Sequence, residues 1–118
     1  MIAKLPVFLL LGAASVCAAD ISGTWKVDLN VAGNAITLDC QLKQTGAQLS
    51  GVCKGGDRPD RNVTGEVKDQ AVSFHYDFDL DGNKMTANYS GTLNSQGTAM
   101  KGTVEVQGNS GDFTASKQ

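Results

Sequence analysis

Apolar and polar residues alternate along most of the chain with a period of two. Trp25, Val27, Leu29 and Val31 hold one parity, with Lys26, Asp28 and Asn30 on the other. The same alternation runs through Ile36, Leu38, Cys40 and Leu42, then Leu49, Gly51 and Cys53, then Val63, Gly65 and Val67. It continues through Val72, Phe74, Tyr76, Phe78 and Leu80, through Met85, Ala87, Tyr89, Gly91 and Leu93, through Met100, Gly102, Val104 and Val106, and ends at Phe113 and Ala115. A period of two sends alternate side chains to opposite faces of a strand, so each run reads as a strand with an apolar inner row. About eight such strands joined by short turns predict an all-β fold, a single antiparallel up-and-down β-barrel, since about eight strands close around a just-filled interior.

Five glycines fall on the inward rows, in Gly23-Thr24-Trp25, Gly51-Val52-Cys53, Gly65-Glu66-Val67, Gly91-Thr92-Leu93 and Gly102-Thr103-Val104. Repeated inward glycine lets neighbouring backbones approach and bend, which favours a closed barrel over a flat sandwich. In a simple meander all five lie toward one end, which is therefore pinched. The other rim carries the connections Ala32 to Ala35, Lys54 to Arg61, Asp81 to Lys84 and Gln107 to Asp112. Recognition most naturally sits on such loops, and Arg58, Asp60 and Arg61 make the longest of them its most charged. The same charges equally suit a solvated connector that blocks edge pairing.

The outward rows change the picture of where the barrel resides. They read Thr37, Asp39, Gln41 and Lys43, then Thr64, Glu66 and Lys68, then His75, Asp77 and Asp79. A membrane barrel faces lipid with apolar residues, so this pattern excludes membrane insertion. Lys4, an apolar run from Leu5 to Val16 and the small pair Ala18-Ala19 form the pattern of a secretory signal peptide, with cleavage expected after Ala19. Residues 1–19 are thus an address, residues 20–118 one domain of 99 residues, and the expected location secreted or periplasmic. Cleavage also leaves Cys40 and Cys53 as an even pair in an oxidising compartment. A tight turn at Gly46 and Ala47 puts them directly opposite each other at a non-hydrogen-bonded position, within disulfide range.

Charge and chemistry narrow function mainly by exclusion. Loss of Lys4 takes the net charge from −2 to −3, and with no basic patch the chain does not suit nucleic acid. Asp77 to Asn83 imitates the start of a calcium loop, but its twelfth position is Asn88 and Asp81-Gly82 fits a hairpin better. His75 is the sole histidine and faces outward, so no metal or haem cofactor is expected. No base is placed to activate a serine or cysteine, and Asp77 and Asp79 lack an enclosing cleft, so no enzyme activity is expected. Asn62-Val63-Thr64 and Asn88-Tyr89-Ser90 match the glycosylation sequon at outward asparagines, at a frequency that chance supplies in so polar a chain.

With Gly23-x-Trp25 opening the first strand of a short-turned antiparallel barrel, residues 20–118 resemble the calycin group of lipocalins, fatty-acid-binding proteins and avidins. The resemblance implies a lipocalin-like barrel whose tryptophan plugs the closed end, and a small apolar ligand in its lumen. The chain departs from avidins in having no tryptophan but Trp25, and from typical lipocalins in its shortness and lack of a C-terminal helix. It also resembles bacterial alkaline proteinase inhibitors, small periplasmic barrels with one disulfide, although only Asp20 and Ile21 precede Ser22 where those carry an inhibitory segment. Two readings of the interior are open. Tyr76 and Tyr89, facing each other if Leu80 pairs with Met85, would orient a ligand among Trp25, Phe78, Met85, Val106 and Phe113; or the large side chains fill the lumen and the rim loops engage a protein partner. A monomer is expected in either case.

Overall fold

The computed structural model describes residues 20–56 and 58–118, so the expected signal peptide lies outside the described residues. Eight strands follow in order: β1 (Gly23–Val31), β2 (Asn34–Thr45), β3 (Gln48–Lys54), β4 (Arg61–Lys68), β5 (Ala71–Leu80), β6 (Asn83–Leu93), β7 (Ala99–Val106) and β8 (Asn109–Lys117). Each pairs antiparallel with the next, and β8 returns to β1, closing the barrel. Among the described residues there is no helix long and apolar enough to cross a membrane.

The alternation sets the inside and the outside as expected. Trp25, Val27, Leu38, Cys40, Leu49, Cys53, Val72 and Val104 are buried, and Leu80 is the one exposed large hydrophobic among the described residues. Cys40 sits opposite Cys53 in the β2–β3 ladder, with 4.0 Å between the Cα atoms, and the two form a disulfide. The turn between them is Gly46-Ala47, as the spacing predicts.

The inward glycines serve close approach. A Cβ on Gly51 would overlap the Gln41 carbonyl, one on Gly102 the Ser90 carbonyl, and one on Gly91 would meet the Phe113 ring at 2.7 Å. Gly91 thus makes room for an aromatic ring as well as for a neighbouring strand. Gly111 in β8 belongs to the same set, since a Cβ there would overlap the Asn30 carbonyl, although it lies toward the opposite end.

Three upper connections are tighter than expected. Ala32-Gly33, Asp81-Gly82 and Gln107-Gly108 are two-residue turns with positive φ at both positions, the geometry that matches the twist of a hairpin. The β5–β6 register is therefore Leu80 with Asn83 and Phe78 with Met85, not Leu80 with Met85. A slip of two residues keeps every side chain on its own face, which is why alternation did not reveal it.

Candidate functional site

The two ends of the lumen differ. At the lower end Trp25 is fully buried, and its indole Nε1 donates to the Ile21 carbonyl at 2.8 Å. Ile21 is itself fully buried, and its backbone N–H donates to Gln44 Oε1 at 3.0 Å. The segment ahead of β1 therefore folds under the barrel and plugs it. Parity held the signal, since Ile21 shares the inward face of Gly23 and Trp25, but the residue precedes the strand and was not read as core.

Above this plug the aromatic rings fill the middle of the barrel. Phe74 and Tyr89 stack with centroids 4.4 Å apart and planes 8° from parallel. Phe113 presents its edge to both, at 6.1 Å and 5.1 Å. These are the offset and edge-on arrangements that ring quadrupoles favour.

Higher still, the Tyr76 and Tyr89 hydroxyl oxygens lie 2.6 Å apart in a buried hydrogen bond. They meet diagonally, because Tyr89 pairs with Phe74 and Tyr76 with Ala87. Burial, then the neighbouring Tyr76, pushes the Tyr89 hydroxyl well above the ordinary tyrosine range. Among the described residues Tyr89 has Tyr76 as its hydroxyl partner, and it is Tyr76 that borders the space above. Either hydroxyl can be the donor; with Tyr89 donating, the deeper group is satisfied and the Tyr76 O–H is left to face that space.

The space is a cavity of about 810 Å³ at the upper mouth. Leu29, Val31, Ile36, Phe78, Met85, Ala87 and Val106 supply its apolar wall, and Arg58, Pro59 and Asp60 lean over it from the β3–β4 connection. That connection is anchored by buried Gly55, whose carbonyl accepts the Arg58 N–H at 3.0 Å. Of the residues expected to line the lumen, Tyr76, Phe78, Met85 and Val106 border the cavity, while Trp25, Tyr89 and Phe113 fill the barrel beneath it. A second depression, about 440 Å³, lies near the lower end and is lined by outward Thr92, Lys101 and Thr114 with Leu93, Met100 and Ala115.

Arg61 is placed differently from the expectation that it is a rim-loop residue. It is the first residue of β4, pairs with inward Cys53 and shares the face of Val63. Its guanidinium carbon lies 4.7 Å from the Phe78 ring centre and 5.2 Å from that of Tyr76. Asp60, by contrast, is exposed and pairs with Lys54 at 3.9 Å. Asp77 lies on the outer wall, where a hydrogen bond from Thr86 at 2.7 Å, helped by Lys84, holds its carboxyl below the usual range. The segment that imitates a calcium loop is thus strand β5 running into a hairpin turn.

No protein-family profile matches the chain, and no curated protein matches it in sequence. Its structure is similar to two redesigned β-barrels. One, b11L5F_LGL, is 20% identical with a TM-score of 0.70, the alignment covering 89% of this chain and 99% of that one. The other, mFAP1, solved bound to DFHBI, is 18% identical with a TM-score of 0.63, covering 83% of this chain and 94% of its own. At such identities the likeness is one of fold, and the class it defines is a small, closed, eight-stranded antiparallel barrel.

Proposed function

We propose that this protein is a secreted or periplasmic binder, not an enzyme, that takes a small, largely apolar molecule into the upper half of its barrel. The observation that carries the reading is the asymmetry of the lumen. The lower half is packed with rings and sealed by Ile21 and Trp25, whereas the upper half holds a cavity of about 810 Å³ with apolar walls and convergent polar groups. That combination of volume, wall and few oriented donors is typical of small-molecule sites. The calycin resemblance implies the same use of the barrel, and mFAP1 holds a small molecule on a similar fold. A protein-docking barrel with a filled core has less support, because the core is not filled at the mouth.

The test uses the mature protein, purified gently and examined by native mass spectrometry, then titrated with the neutral probe N-phenylnaphthylamine. A bound small molecule or uptake of one probe per barrel is expected. Both should be lost in Val106→Trp, which puts an indole into the cavity wall. A bare protein that ignores the probe, or uptake that Val106→Trp leaves unchanged, overturns the reading.

A further inference from the structure

Among the described residues Arg61 is the one charged side chain at an inward strand position of the cavity, while Arg58, Asp60, Asp77 and Asp79 border its mouth. Arg61 enters the cavity from β4, half-buried, with its guanidinium against the Phe78 and Tyr76 rings. The ion pairs among the described residues are Lys54 with Asp60 and Lys84 with Asp77, and neither takes up Arg61. Among the described residues no buried side-chain nitrogen or oxygen is left without a partner, so the N–H edges of Arg61 reach the cavity and its mouth. Aromatic faces hold a guanidinium in place without consuming its in-plane donors.

Asp60, Asp77 and Asp79 border the same mouth, but none of them forms an ion pair with Arg61. Asp60 is paired and exposed, Asp77 is held on the outer wall by Thr86 and Lys84, and Asp79 has the outward parity of β5 and is exposed. Water screens charges on that outer face far more than it screens one within an apolar mouth. Beneath Arg61 the Tyr76 hydroxyl borders the cavity, and the inward strand positions around it carry no carboxylate, those of the lining being Asp60 in the loop and outward Asp77 and Asp79.

Resting on the lumen-binding reading, we infer that the ligand is an organic anion, an apolar and preferably aromatic body whose negative group is held at the mouth by Arg61. A planar fork of charged donors favours an oxyanion over a neutral group of the same shape, and the ring faces beside it suit a flat body.

Two probes that share one aromatic skeleton test this directly: anilinonaphthalenesulfonate, which carries a sulfonate, and neutral N-phenylnaphthylamine. The mature protein is expected to bind the sulfonate about tenfold to a hundredfold more tightly, the range of one hydrogen bond to a charged group. Arg61→Gln should remove that preference while leaving the neutral probe within about twofold, and Arg61→Lys should restore only part of it. Near-ultraviolet dichroism of Trp25 checks that both variants keep the closed end folded. Equal binding of the two probes, or equal loss of both in Arg61→Gln, overturns the anion preference and leaves the lumen-binding reading standing. Failure of both probes to bind overturns both readings.

Discussion

In a pair of hydroxyls, one O–H is used by the contact and the other must find its own acceptor. Tyr89 is the deeper member of the pair and Tyr76 borders the cavity, so removing one hydroxyl or the other should not have equal effects. With Tyr89 as the donor, Tyr76→Phe strands the Tyr89 O–H and is expected to lower stability by about 2 kcal/mol, while Tyr89→Phe leaves the Tyr76 O–H facing the cavity and should cost about 1 kcal/mol or less. Urea denaturation of the two variants settles the order, and the reverse order would mean that Tyr76 is the donor. The same burial fixes a pH dependence. The folded Tyr89 hydroxyl titrates above its ordinary value of 10.0, so above that pH the unfolded chain gives up a proton that the folded one keeps. The contribution is intact below pH 10 and stability falls as pH rises beyond it, by up to about 1.4 kcal/mol per unit. Wild type should therefore lose stability in alkali more steeply than Tyr89→Phe.

At the scale of strands and hairpins, the β2–β3 unit carries the disulfide, and the residues it joins are separated by 13 positions. Closing a loop of that size is worth about 3 kcal/mol on the chain-entropy account. The Cys40→Ala, Cys53→Ala double variant should lose about that much and show a larger urea dependence, because its unfolded chain is more expanded. A loss under about 1 kcal/mol would mean that the Gly46-Ala47 turn already restricts the unfolded hairpin. This unit was legible in the sequence because parity and a glycine turn agree about it. The β5–β6 hairpin was legible in face but not in register, since a slip of two residues leaves parity untouched and only the turn chemistry of Asp81-Gly82 distinguishes the pairings. Arg61 was missed for a related reason. Extending the Val63 parity back by two residues points it inward, but the charged, proline-containing segment before it reads as loop and cuts the strand short. A charged side chain at an inward position is what alternation is least able to announce.

Across the whole molecule, stability and binding are assigned to opposite ends of one barrel. The lower end joins buried Ile21 and Trp25 with half-buried Gln44 in a hydrogen-bonded plug, and backbone bonds from Val67 to Ala47, Leu93 to Gln70 and Gln118 to Thr24 tie the lower turns to the strands beyond them. The mouth holds the volume and the inward charge. Changes at the two ends should therefore separate into different readouts. Trp25→Phe removes buried area and the bond to Ile21, so it is expected to lower stability by about 2 kcal/mol while leaving probe affinity within about twofold. Val106→Trp, at a half-buried wall position, should keep stability within about 1 kcal/mol of wild type and abolish probe uptake. Saturation connects the two quantities, because a probe at a hundred times its Kd adds about 2.7 kcal/mol to a protein that binds it only when folded. That increment should appear as a higher urea midpoint in wild type and in Trp25→Phe, and should be absent from Val106→Trp. If Trp25→Phe instead loses both stability and uptake, the plug and the mouth act as one cooperative unit, and the cavity depends on the closed end for its shape.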